Sequence, residues 1–268
     1  MYKIGIVGYG VVGKGIHRLF GKCVTAVYDP ASSVAKEGFV GLDLVVMSVP
    51  TDEMESGSAD TSILESSVEW VRKLDKDVVI LIKSTTPPTK LKELHDKYGH
   101  IVFSPEYMGE SKYFTPEWKY PHPRNMASHT WQTFGGELED TKLCVDVFKR
   151  RMGVDTQYWQ TDIVTAGLAK YLENSFFAMK VTFVNEWCDM AEALGVDWNE
   201  LRELWLLDPR INRNHTLVFP LDRGYSGKCF PKDTRAIIKE MKDLGYVPEL
   251  MVAMDANNTK RRKCIKKN

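Results

Sequence analysis

Residues 3–20 read KIGIVGYGVVGKGIHRLF. A short apolar strand, Lys3–Val7, runs into Gly8-Tyr9-Gly10-Val11-Val12-Gly13 and then into a helical pattern over Val11–Phe20. This is G-x-G-x-x-G between a strand and a helix, and each glycine has a physical task. Gly8 allows a tight turn, Gly10 lets the backbone approach a pyrophosphate, and Gly13 lets helix and strand pack closely. The helix opening at Val11 and Val12 offers unpaired N–H groups and partial positive charge to phosphates. Asp29 ends the next strand, Val24–Tyr28, about twenty residues on, where a carboxylate bonds both ribose hydroxyls. A 2′-phosphate there would meet like charge, and positions 29–35 hold no Arg or Lys. The reading is an NAD site rather than an NADP site.

The same alternation continues outward from this stretch. Asp43–Val49 and Asp77–Lys83 are apolar throughout, as strands covered on both faces are. Helices are predicted over Thr61–Leu74, Leu91–Tyr98 and Leu138–Arg151, with strands at Ile101–Ser104 and, on the sheet edge, Val154–Trp159. Asn125–Thr133 reads as an irregular loop. Strand–helix alternation predicts a parallel sheet with helices on both faces, an α/β doubly wound, Rossmann-type domain over 1–160. The pattern then changes. From Asp162, a candidate N-cap, to Leu194, apolar residues recur at 168, 172, 175/176, 179, 183, 187, 190 and 194, predicting one long helix that ends at Gly195. Further helices are expected at Trp198–Trp205, Asp233–Leu244 and from Glu249 onward. Residues 161–268 therefore read as an all-helical domain entered by a long connecting helix.

The chain has 268 residues, 43% of them apolar, and its 36 Lys and Arg balance 36 Asp and Glu. Zero net charge argues against a general binder of nucleic acid or membrane surfaces. No apolar run approaches the ~18 residues of a membrane span, and the N-terminus lacks the features of a signal peptide. A cytoplasmic protein is expected. The basic run Lys260-Arg261-Arg262-Lys263 reads as a solvated helix end. Five widely spaced cysteines without C-x-x-C, and six scattered histidines, argue against a disulfide framework or a metal site.

Cys229 lies in Gly224-Tyr225-Ser226-Gly227-Lys228-Cys229-Phe230-Pro231-Lys232-Asp233. A free thiol has a pKa of about 8.5, and adjacent positive charge or a helix N-terminus favours the thiolate. Lys228 and Lys232 flank Cys229, a helix is expected to start near Asp233, and the two glycines admit a close substrate. Asp233 is placed to hold a water or accept a proton. Cys23, Cys144, Cys188 and Cys264 read as small buried hydrophobes. On the long helix Lys170 and Asn174 share a face at i,i+4, off the stripe 168/172/176, and suit an oxyanion as well as a solvated surface pair. Three stretches follow strand ends, where ligands of open α/β sheets bind. They are Val49-Pro50-Thr51, Ser84-Thr85-Thr86-Pro87-Pro88 and Ser104–Glu110, the last with Glu106 and Glu110 four apart.

Together these pieces resemble the UDP-glucose/GDP-mannose dehydrogenase family. The matching segments are GIVGYGVVG, VPT followed by AD at 59–60, KSTTPP, SPEYMGES, LAKYLENSFFAMKVTFVNE, DPRI and GYSGKCFPKDT, in order along nearly the whole chain. The resemblance implies a four-electron oxidation of a nucleotide-sugar primary alcohol to the uronic acid, with NAD as oxidant and a thiohemiacetal and then a thioester on Cys229. It implies that Lys170 and Asn174 hold the oxyanion and that Asp233 orients water or acts as base. Thr85 and Glu110 would lie near the nicotinamide and the reacting carbon, and Glu106 would assist positioning or hydrolysis. Pro50, Thr51 and Ser84 join the cofactor contacts. The family's long helix builds a homodimer, so one is expected. Members usually continue into a third, α/β domain, which this chain, ending in NNTKRRKCIKKN, is expected to lack. A β-hydroxyacid-type two-electron dehydrogenase and a catalytically silent NAD- or partner-binding protein are the alternative readings.

Overall fold

The opening strand forms as β1 (Ile4–Val7), and α1 (Val11–Phe20) follows the glycine turn, in a computed structural model that describes residues 1–30, 38–108 and 125–265. The chain continues through β2 (Val24–Tyr28), β3 (Leu44–Met47), α2 (Ser62–Leu74), β4 (Val79–Ile82), α3 (Pro88–Tyr98) and β5 (Ile101–Phe103). Next come β6 (Trp131–Gly135), α4 (Leu138–Met152) and β7 (Gln157–Thr161). Among the described residues seven strands form one sheet in the order β2-β1-β3-β4-β5-β6-β7. Neighbours from β2 to β5 run parallel.

Period-two geometry explains why these strands carry no polar face. Val7, Val45, Met47, Ile80, Ile82, Ile101 and Phe103 point to one side and pack with Leu64, Val68 and Val71 of α2 and Leu91 and Leu94 of α3. Ile4, Ile6, Leu44, Val46, Val79, Leu81 and Val102 point to the other, against Ile16 and Phe20 of α1 and Val147 and Phe148 of α4. With helices over both faces, every residue of β1, β3 and β4 is buried.

Two expectations are corrected on the far side of the sheet. The stretch read as a loop over Asn125–Thr133 contains a 3-10 turn at Met126–Ser128 and the start of β6. Gln132 fills an inward position of β6 beside Phe134, so a polar side chain sits where the alternation calls for an apolar one. The sheet is also mixed: β6 meets β5 antiparallel, and β7 is parallel to β6 at the edge.

The described residues fall into two compact units, 1–55 with 59–170, and 56–58 with 171–265. The helix α5 (Ile163–Ala193) begins in the first unit and continues into the second. Asp162 caps it, accepting from the Thr165 N–H at 2.9 Å and the Thr165 hydroxyl at 2.6 Å. The second unit adds α6 (Trp198–Trp205), α7 (Phe230–Asp243) and α8 (Glu249–Ile265). Val184, Cys188 and Ala191 of α5 pack on Trp198, and Ala178 packs on Tyr225 and Met254.

The stripe that predicts α5 is not the face it buries. Leu168, Leu172, Phe176, Phe183, Trp187, Met190 and Leu194 are exposed in the single chain, Leu172 at 73% and Phe183 at 49%. The buried side carries Lys170, Tyr171, Asn174, Ala178, Asn185 and Cys188. Among the described residues no helix is long and apolar enough to cross a membrane. Two residues of the basic run at 260–263 are tied inward, Arg261 to Asp189 at 2.5 Å and Arg262 to Asp222 at 2.5 Å.

Candidate active site

In the first unit, the turn between β1 and α1 has the contacts that its glycines imply. Gly8 has a left-handed φ of +88°, and a Cβ there would lie 2.5 Å from the Ser48 carbonyl oxygen. A Cβ at Gly13 would lie 2.1 Å from the Gly8 carbonyl oxygen. At Gly10, by contrast, no atom lies within 4 Å of an added Cβ. That is open space beside a helix N-terminus with no side-chain cap, preceded by a turn held closed by the Ser48 hydroxyl on Gly8 O at 2.8 Å. Val11 and Val12 form the first turn of α1, with Val11 exposed. Asp29 follows β2, and its carboxylate accepts the Tyr9 N–H at 2.5 Å, which binds the acid to the turn. These residues fit a dinucleotide: a cradle that a side chain at residue 10 would fill, with a carboxylate bonded to the same turn.

The ends of β3, β4 and β5 are stitched together. The Thr51 hydroxyl donates to Thr85 O at 2.8 Å, Ser84 Oγ to Val49 O at 2.7 Å, and Thr86 Oγ1 to Ser84 O at 2.9 Å. Pro50 is exposed between these contacts, and Thr85 is half-buried. Glu106, with only 8% of its side chain exposed, receives Lys83 Nζ at 3.3 Å on Oε2. The N–H groups of Tyr107 and Met108 reach its Oε1 at 2.9 Å each. Burial works to raise the Glu106 pKa, but Lys83, the Met108 N–H and His129 together hold it below the usual carboxylate range. Glu110 lies outside the described residues.

Lys170 is buried on α5, its Nζ 4.8 Å from the centroid of the Tyr107 ring. One turn on, Asn174 Nδ2 donates to Asp233 Oδ2 at 2.6 Å. The pair is therefore not a solvated surface pair. Asp233 is 1% exposed, and its Oδ1 lies 2.7 Å from Lys232 Nζ. The helix expected to start near Asp233 begins a turn earlier. Cys229 is the N-cap of α7, its carbonyl accepts the Asp233 N–H at 2.8 Å, and its side chain is exposed. Pro231 in the first turn explains the earlier start, since its fixed φ and missing N–H suit that position. Cys23, Cys144 and Cys188 are buried, as read. The structure thus brings Asn174, Asp233 and the Cys229 backbone into one hydrogen-bonded group.

Residues 164–260 match the model of the UDP-glucose/GDP-mannose dehydrogenase family, central domain. The chain belongs to that family. Among curated proteins, the UDP-glucose 6-dehydrogenase of Rickettsia typhi is 30% identical over 213 residues, covering 77% of this chain and 46% of that one. The chain thus spans about half the length of the curated relatives it matches. Among solved structures, a UDP-glucose dehydrogenase from Pyrobaculum islandicum superposes with a TM-score of 0.78 at 23% identity, covering 97% of this chain and 68% of that one. The 3-hydroxyisobutyrate dehydrogenase of Mycobacterium tuberculosis superposes with a TM-score of 0.69 at 17% identity, covering 97% and 93%. These likenesses show the family's fold, a Rossmann-type domain and then a helical one.

Sequence reasoning gave no role to Lys83 or His129. Lys83 ends a strand that is otherwise apolar, which is the one signal that it is buried. His129 is 2% exposed and stacks on Trp131 with ring centroids 5.8 Å apart. Burial depresses its pKa, keeping the ring neutral beside Glu106. It fell in a stretch read as loop, where nothing marks a histidine as buried.

Proposed function

We propose that this chain carries out an NAD-dependent four-electron oxidation of a nucleotide-sugar primary alcohol to the uronic acid, by way of a covalent intermediate on Cys229. The observation that carries this reading is the bond from Asn174 to Asp233. It joins the helix bearing Lys170 and Asn174 to the first turn of the helix capped by Cys229. Membership of the family supports the same class of chemistry.

In this reading Gly8, Gly10, Val11, Val12 and Gly13 cradle the pyrophosphate, Asp29 takes the ribose hydroxyls, and Pro50, Thr51, Ser84, Thr85 and Glu110 border the nicotinamide side. Two molecules of NAD, bound there one after the other, would each accept one hydride. The first oxidation turns the alcohol into an aldehyde with release of one proton. The Cys229 thiolate then adds to the carbonyl carbon, forming a C–S bond and an oxyanion to which Lys170 and Asn174 donate. The partial positive charge of the α7 N-terminus favours negative charge at that sulfur. Loss of the second hydride leaves a thioester. Water cleaves the C–S bond, releasing the carboxylate and returning the thiol. Asp233, held between Asn174 and Lys232, fixes the amide and orients the water. Glu106, ionised and bonded to the backbone of residues 107 and 108, shapes the approach to Thr85 and Glu110.

Asp29 disfavours a 2′-phosphate, which makes NAD the preferred dinucleotide. The exposed apolar stripe of α5 supports a homodimer, because contiguous apolar surface of this kind marks an interface. The reading predicts no role for nucleic acid or membrane, and a cytoplasmic setting follows from it.

NADH release measured over UDP-, GDP- and dTDP-sugars tests the proposal. We expect two NADH per sugar oxidised and loss of the acid product in Cys229→Ala. Absence of turnover across the panel overturns it. A second reading, two-electron oxidation of a hydroxy acid, is favoured by the match over nearly all of the 3-hydroxyisobutyrate dehydrogenase chain. One NADH per substrate, with Cys229→Ala still active, would select that reading.

A further inference from the structure

The segment that presents Cys229 has no regular secondary structure of its own between α6 and α7. Its position is therefore set by side chains that reach it from elsewhere. Most come from one face of α8, at Asp255, Asn258 and Arg262, spaced i, i+3 and i+7. Asn258 makes a closed pair of bonds with a single residue: its Oδ1 accepts the Tyr225 N–H at 2.8 Å, and its Nδ2 donates to the Tyr225 carbonyl at 3.0 Å. Asp255 accepts the Tyr225 hydroxyl at 3.2 Å. Arg262 donates to Asp222 at 2.5 Å and to Arg223 O at 3.3 Å. From α5, Asn185 Oδ1 accepts the Gly224 N–H at 3.2 Å and Arg223 Nε at 2.7 Å.

This close approach sets the sequence of the loop. Gly224 has φ +80°, and a Cβ there would lie 2.5 Å from Asn258 Oδ1. Tyr225 and Asn258 are both almost fully buried, so neither bond of the pair competes with water. Beyond Tyr225 the chain crosses Gly227, also left-handed at φ +85°, and reaches the N-cap of α7. The backbone before the sulfur is thus fixed at residue 225 by an amide, and the backbone after it by a helix.

We infer that Asn258 is a positioning residue for the thiol of Cys229, acting through the backbone of Tyr225, and that the face of α8 bearing it serves the reaction without touching the substrate. This rests on the reading of Cys229 as the nucleophile, but its test does not need turnover. In full-length Asn258→Ala we expect amide exchange at residues 224–229 to quicken by about tenfold or more, the loss of a buried bonded pair being worth roughly that factor. We also expect a changed rate of Cys229 carbamidomethylation by iodoacetamide, followed by mass mapping of the 224–231 peptide, and a kcat that falls while KM for NAD holds.

Asn258→Asp keeps the acceptor for the Tyr225 N–H but sets an oxygen against the Tyr225 carbonyl in place of the donor, so it should also quicken exchange at 224–229; if Asn258→Ala does not fold, this variant decides. Asn257→Ala removes the neighbouring amide, which bonds Glu186 and Arg261 instead, and should leave exchange and alkylation at 224–229 as in the parent. Unchanged exchange and alkylation in a folded Asn258 variant overturns the inference. So does an equal response from Asn257→Ala, which would mark general loosening of α8. If the parent shows no turnover, the proposed function fails alone, and exchange and alkylation still decide the role of Asn258.

Discussion

Gly10 and Gly13 belong to one turn, yet an added methyl group would meet different surroundings at each. At Gly10 it enters open space with φ at −75°, so Gly10→Ala should fold with stability within about 1 kcal/mol of the parent. Its NAD affinity should nonetheless fall, because the methyl occupies the space proposed for the pyrophosphate; calorimetric titration reads this directly. Gly13→Ala drives a carbon to 2.1 Å from Gly8 O and should unfold the turn itself. Lys83→Met leaves Glu106 buried without its counter-charge and should destabilise by about 3–5 kcal/mol in urea unfolding. Much of that loss should return in Lys83→Met/Glu106→Gln. His215 gives a pH signature. Burial, with Lys180 nearby, takes its pKa to about 4, against about 6.5 when unfolded. The unfolded chain therefore binds the extra proton first. The stabilisation is complete above about pH 6.5 and fades as pH falls toward 4, a loss of about 2–3 kcal/mol. His215→Gln should flatten that part of a urea-midpoint against pH curve.

Among the elements, α5 separates two kinds of information. Its 3.6-residue repeat was legible, and so was its start, because the Asp162 cap is written in local chemistry. Asp162→Ala should lower the thermal midpoint by an amount equivalent to about 1 kcal/mol. The repeat did not say which face is covered. Lys170 and Asn174 are buried while Leu172, Phe183 and Trp187 are exposed, the reverse of what polarity alone suggests. If that stripe is the homodimer face, Phe183→Glu/Trp187→Glu should give a monomer by light scattering with the helix content retained. An unchanged dimer would place the interface elsewhere. Gln132 at an inward position breaks the alternation that would mark β6, and Pro231 in the first turn of α7 is the local signal for a start ahead of Asp233.

For the molecule as a whole, a ligand that binds only the folded state raises stability in step with its concentration. Saturation at 100-fold over the dissociation constant is worth about 2.7 kcal/mol. NAD at that level should raise the melting temperature by several degrees, and Asp29→Ala should reduce the shift. The residue sequence alone determined the strand–turn–helix at the N-terminus, the change from alternating to helical architecture near residue 161, and the identity of the motif residues. These depend on contacts within a few residues of one another, so periodicity and spacing record them. Only the tertiary structure decided that Lys83 and His129 border Glu106, that Asn174 bonds Asp233, and that Asn258 holds Tyr225. Burial and hydrogen-bond pairing between residues tens of positions apart depend on which surfaces the fold brings together, and local sequence carries no record of that.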